Sequence, residues 1–60
     1  RASVVTYKSI KQGNVFTKEN LWVKRPGSGE IPGYNYYEIL GKKAKTDLKS
    51  NIQLKKSDIE

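Results

Sequence analysis

Arg25 is the only arginine inside a chain that otherwise carries its positive charge on lysine, and it lies in the most turn-rich stretch, from Trp22 to Gly33. A guanidinium presents a planar fork of donors that can grip a carboxylate or phosphate at two points, which a lysine ammonium cannot. Its neighbours are shape-setting residues. Pro26 fixes its own φ at about −65° and biases Arg25 toward extended backbone, while Gly27 and Gly29 allow positive φ. The expectation is an ordered turn that holds Arg25 outward, with Lys24, Pro26, Gly27 and Gly29 as its support. A solvated surface arginine accounts for the same spacing, and both readings stand at this level. Gly27, Ser28 and Gly29 beside Lys24 and Arg25 also have the composition of an anion cradle. No strand–loop–helix pattern of the nucleotide-binding kind surrounds them.

The chemistry that is absent narrows the role of this loop. With no histidine and no cysteine, imidazole acid–base catalysis, thiol nucleophiles and His/Cys metal sites are excluded. The acids Glu19, Glu30, Glu38, Asp47, Asp58 and Glu60 are dispersed, so no carboxylate pair at working distance can be argued. Autonomous catalysis is therefore not expected. Trp22, Tyr34 and Tyr37 either cover the edge of a small core or anchor a partner. The lysines interleaved with Tyr7 and Trp22 do not form the flat aromatic platform that single-stranded nucleic acid needs.

Sixty residues make at most one domain, and one whose stability is marginal without staples or a neighbour. The chain contains no methionine and opens on Arg1, which reads as a piece cut from a longer polypeptide. The net charge of +6 arises from lysines spread over most of the length. That is the pattern of a solvated, anion-attracting surface, and no nucleic-acid partner is expected. No apolar run approaches the roughly 20 residues of a membrane span, and no signal peptide is visible. A cytoplasmic location without a membrane partner is the expectation.

Local patterns predict many short elements. Ala2 to Ile10, with Val4, Val5 and Thr6, reads as one strand or two. Gln12-Gly13-Asn14 is a turn, and Thr17 to Leu21 a single helical turn with Thr17 as N-cap. Trp22 to Arg25 is extended. Tyr36, Ile39 and Leu40 form the apolar stripe of a short helix over Tyr34–Leu40 that ends at Gly41, leaving Tyr37 outward. Lys42 to Leu48 reads as an exposed strand, Ser50-Asn51 as a turn, and Lys56 to Ile59 as a closing helical turn. The expected core is Val4, Ile10, Val15, Leu21, Val23, Tyr36, Ile39, Leu40, Leu48, Ile52, Leu54 and Ile59.

Residues 10–21 also lie over residues 48–59 without a gap, matched by physical class. Each begins with an aliphatic residue and a lysine, then has a left-handed-tolerant residue (Gly13, Asn51), and ends on an aliphatic one. This predicts two similar units about a pseudo-twofold axis in a small, irregular, mostly β fold.

Four runs carry a family resemblance: Ser3-Val4-Val5, Ile10 through Leu21, Val23 through Gly29, and Ile39 through Ala44. Together they resemble the C-terminal antifreeze-like (SAF) domain of bacterial sialic acid synthases, over essentially the whole chain. The resemblance implies the β-clip-like SAF fold shared with fish type III antifreeze proteins, as a single domain over residues 1–60. It implies a parent enzyme with an N-terminal (β/α)8 barrel absent from this chain. That enzyme would condense phosphoenolpyruvate with N-acetylmannosamine or a related amino sugar, using a divalent metal (Mn or Mg) held in the barrel. The isolated chain is then no enzyme and needs no cofactor of its own. In the family the domain covers the active site of the partner subunit in a domain-swapped homodimer, and the arginine of the Arg-Pro-Gly motif contacts the sugar. That role maps onto Arg25. The alternative is a stand-alone binding module, for ice or for a polyanion. Ice binding is not expected, because Lys8, Lys11, Lys18 and Glu19 occupy the corresponding surface.

Overall fold

The computed structural model describes residues 1–60. β-Branched Val4, Val5 and Thr6 favour an extended chain, and they form most of β1, Ser3–Thr6. β1 pairs antiparallel with β2, Leu21–Lys24, in the register Ser3 to Lys24, Val4 to Val23, Val5 to Trp22 and Thr6 to Leu21. Isolated bridges tie the remaining segments together: Val5 to Gln53, Ile10 to Leu48, Val15 to Lys43 and Ala44 to Ile59. A 3-10 turn over Gly33–Asn35 runs into α1, Tyr36–Ile39, and a second 3-10 turn covers Lys56–Asp58. The result is the small, irregular, mostly β fold that the short elements predict.

The pseudo-twofold relation is written in the hydrogen bonds. Ile10 and Leu48 exchange both backbone bonds, at 2.8 and 2.7 Å, so the axis passes between them. The Gly13 amide donates to Ala44 O as the Asn51 amide donates to Thr6 O, both at 2.8 Å. Ala44 N–H donates to Asn14 O as Thr6 N–H donates to Ile52 O, both at 2.9 Å. Gly13 (φ 86°) and Asn51 (φ 61°) take up the left-handed conformation at equivalent positions, one that glycine and asparagine tolerate best. Asn20 Oδ1 accepts from the Thr17 amide at 2.9 Å, and Asp58 Oδ2 accepts from the Lys55 amide at 3.0 Å. The Arg25 loop and α1 lie between the two halves and have no counterpart in the repeat.

The core consists of Val4, Ile10, Phe16, Leu21, Ile31, Tyr36, Ile39, Ala44, Leu48 and Leu54, with Val23, Leu40 and Ile59 packed against it. Two expected members are displaced. Val15 and Ile52 keep 41% and 37% of their surface exposed, and Phe16, Ile31 and Ala44 lie inside instead. For Val15 the reason is alternation along extended backbone. Val15 and its repeat equivalent Gln53 both sit in bridges and face outward, which turns the equivalent pair Phe16 and Leu54 inward.

Three elements are shorter than their patterns suggest. β1 stops at Thr6, whose buried hydroxyl donates to Lys49 O at 2.6 Å and accepts from the Ile52 amide at 3.0 Å. That ties the chain to the 49–52 turn, and Ile10 rejoins the β structure only through its bridge to Leu48. The stretch from Lys42 to Leu48 pairs only at Lys43, Ala44 and Leu48, with its lysines exposed. The expected Tyr34–Leu40 helix divides into a 3-10 turn and one α turn, with Asn35 at φ −90°, ψ 3° between them. Gly41 closes it at φ 92°, and Tyr37 faces outward.

Candidate functional site

Arg25 follows the last residue of β2 and is exposed. The Arg25–Pro26 peptide is cis. The turn beyond it is clamped from below by Ser3, which is fully buried. The Ser3 hydroxyl donates to Pro26 O at 2.9 Å and accepts from the Gly29 amide at 2.8 Å. One side chain therefore satisfies both ends of the turn. A buried hydroxyl with two good partners is stabilising, whereas each partner left unpaired would cost on the order of 1–3 kcal/mol.

The glycines serve a different purpose from the one their composition suggests. Neither Gly27 nor Gly29 adopts positive φ. A Cβ on Gly29 would lie 2.7 Å from Ser3 Cβ, and one on Gly27 would lie 2.7 Å from Arg1 Cγ. Close approach is thus what demands glycine, strictly at Gly29, where the neighbour is a buried residue, and loosely at Gly27, where it is a flexible side chain. The anion-cradle reading weakens as well, because the Gly29 amide is spent on Ser3.

The far end of the loop is tied down equally well. Val4 N–H donates to Ile31 O at 2.9 Å and Gly33 N–H to Ala2 O at 2.8 Å. The Lys56 amide donates to Glu30 Oε2 at 2.9 Å, and Gln53 Nε2 approaches Ser28 Oγ at 3.4 Å. None of the side-chain hydrogen bonds that hold the loop involves Arg25. The guanidinium is left to solvent or to another molecule, on a base fixed at both ends. Lys24 is not its companion: Lys24 Nζ donates to Asn51 Oδ1 at 2.7 Å.

On β2, Trp22 meets Tyr36 edge-on, with centroids 5.4 Å apart and planes at 87°, and Tyr36 meets Tyr37 at 5.1 Å and 75°. The Tyr36 hydroxyl is buried with no hydrogen-bond partner. Burial pushes this phenol above the ordinary tyrosine range, and the neighbouring Tyr37 and Glu19 add to the effect. No group of three acidic side chains converges anywhere in the chain as a metal site would require, and no helix is long and apolar enough to cross a membrane.

Ser3 is the site residue that sequence reasoning passes over. Its only mark is a small hydroxyl at the start of an apolar strand. Ser3 joins Pro26 to Gly29, and Arg25 precedes the clamped turn without taking part in these bonds.

A SAF domain family model matches residues 1–60. The chain belongs to the SAF domain family. It is 41% identical over 58 residues to a pseudaminic acid synthase of Campylobacter jejuni, a match covering 97% of this chain and 17% of that protein. A pseudaminic acid synthase of Helicobacter pylori matches with the same identity and coverage. An N,N'-diacetyllegionaminic acid synthase of Campylobacter jejuni is 43% identical over 51 residues, covering 85% of this chain and 15% of that protein. The chain thus spans about a sixth of the length of these relatives.

Proposed function

We propose that this SAF domain is the substrate-capping module of a sialic-acid-type synthase and that Arg25 contacts the amino sugar bound in the barrel of the partner subunit. The observation that carries the reading is the clamped loop: an arginine without intramolecular duties, raised on a turn whose two ends are bonded to one buried hydroxyl. A clamped backbone has little freedom left to lose on binding, so the ordering cost of the contact is confined to the Arg25 side chain, whose planar fork can hold and orient the sugar at two points. On this reading the bond-making belongs to the barrel, and the dispersed acids and the lack of histidine and cysteine are in keeping with it. The barrel would hold phosphoenolpyruvate and the divalent metal, and the reaction would run in the cytoplasm. This domain supplies closure and one polar contact.

The names of the relatives favour a product of the pseudaminic or legionaminic acid kind over N-acetylneuraminate itself. Ice binding gains no support, since Lys8, Lys11, Lys18 and Glu19 are all exposed. The test is steady-state kinetics of the parent synthase carrying Arg25→Ala. A raised KM for the amino sugar or a reduced kcat, with the KM for phosphoenolpyruvate nearly unchanged, supports the role. Kinetics equal to the wild type would refute it.

A further inference from the structure

On the outer face of the β1–β2 ladder, Ser3 and Val5 of β1 are buried, whereas Trp22 and Lys24 of β2 are left exposed. Side chains alternate along a strand, so Trp22 and Lys24 share this face, with Val5 directly across from Trp22. Trp22 and Tyr7 keep 52% and 66% of their surface exposed. Together with Val5, Lys24 and Asn51 they line a concavity of about 470 Å³.

This aromatic is braced. Tyr36, itself buried, meets the Trp22 ring edge-on and restrains its orientation. The bond from Lys24 Nζ to Asn51 Oδ1 fixes a cation on the rim and leaves it two further donors. A fixed aromatic beside a polar rim has the anatomy of an interface anchor.

We propose that the Trp22–Tyr7 face seats this domain on the barrel of the parent synthase and so sets how far Arg25 reaches into the active site. The proposal rests on the capping role assigned to the chain above. Arg25 lies three residues beyond Trp22, so its backbone is within about 10 Å of it. A surface that receives the Arg25 side chain must therefore run past Trp22. The relatives are about six times as long as the segment matched here, so most of such an enzyme lies outside this domain and has the size to supply the covering surface. A second copy of the domain fits poorly: each copy carries a net charge of +6, and the face is rimmed by Lys24 next to Arg25, so pairing would oppose like charges.

The experiment is photo-crosslinking of the full parent synthase with p-benzoylphenylalanine in place of Tyr7, a position exposed enough to accept it. Crosslinks to a peptide outside the SAF domain are expected, reduced at least tenfold when Trp22→Glu is added. Crosslinks between two SAF domains, or none at all, overturn the proposal. The Arg25→Ala kinetics fail independently. Altered kinetics without a crosslink retain the arginine's role and remove this seat; a barrel crosslink with unaltered kinetics does the reverse.

Discussion

Gly29 and Ser3 lie so close that a β-carbon on Gly29 would stand 2.7 Å from Ser3 Cβ, and the Gly29 amide donates to the Ser3 hydroxyl at 2.8 Å. The same hydroxyl donates to Pro26 O. The Arg25 loop is therefore ordered by a contact with the first strand, far away in sequence.

Removing the hydroxyl leaves a donor and an acceptor in a partly buried setting. Ser3→Ala is expected to lower stability by about 1–3 kcal/mol, measured by denaturant unfolding of the chain. It should also weaken protection of the Gly29 amide in hydrogen exchange, by more than it weakens that of Val4.

The two kinds of glycine separate by substitution. Gly13→Ala meets open space but keeps φ 86°, so its cost is conformational, about 1 kcal/mol. Gly29→Ala collides with buried Ser3, which must move. A thermal melt should therefore show the larger loss for Gly29→Ala; the opposite order would mean that the loop does not pack on Ser3.

Alternation along the repeat decides which neighbour fills the core. Phe16→Ala should cost about 3–5 kcal/mol, enough to unfold much of a domain this small. Val15→Ala should cost well under 1 kcal/mol, as expected for a surface position. Circular dichroism melts of the two variants distinguish them.

Tyr36 gives the domain an alkaline limit. Its folded pKa lies above the unfolded value, raised first by burial and then by Tyr37 and Glu19. The stability it contributes is fully present below the unfolded pKa of about 10 and is lost as pH rises through the folded value. Tyr36→Phe removes the orphaned hydroxyl. The variant should match or exceed the wild type at neutral pH, by up to about 1 kcal/mol, and lose stability less steeply above pH 10.

Much of this was legible in residue types. The repeat, the left-handed pair Gly13 and Asn51, the helical end at Gly41 and the exposed Arg25 all follow from local rules. Long-range contacts were not legible. Nothing near Ser3 announces that its hydroxyl meets Pro26 and Gly29, and so local rules point to backbone freedom at Gly27 and Gly29 when proximity is what requires glycine there. Val15 and Phe16 are adjacent and both apolar, and only the bridge from Val15 to Lys43 decides which one turns inward. The elements are so short that each is shaped more by these ties than by its own propensity.

The capping role proposed for Arg25 is tested most directly by the amino-sugar KM and kcat of the parent synthase carrying Arg25→Ala, with Arg25→Lys as a companion. Loss of one bidentate contact predicts a fall in kcat/KM of roughly tenfold to a hundredfold, only partly restored by lysine, with folding unchanged. A kcat/KM within twofold of the wild type for Arg25→Ala would contradict it.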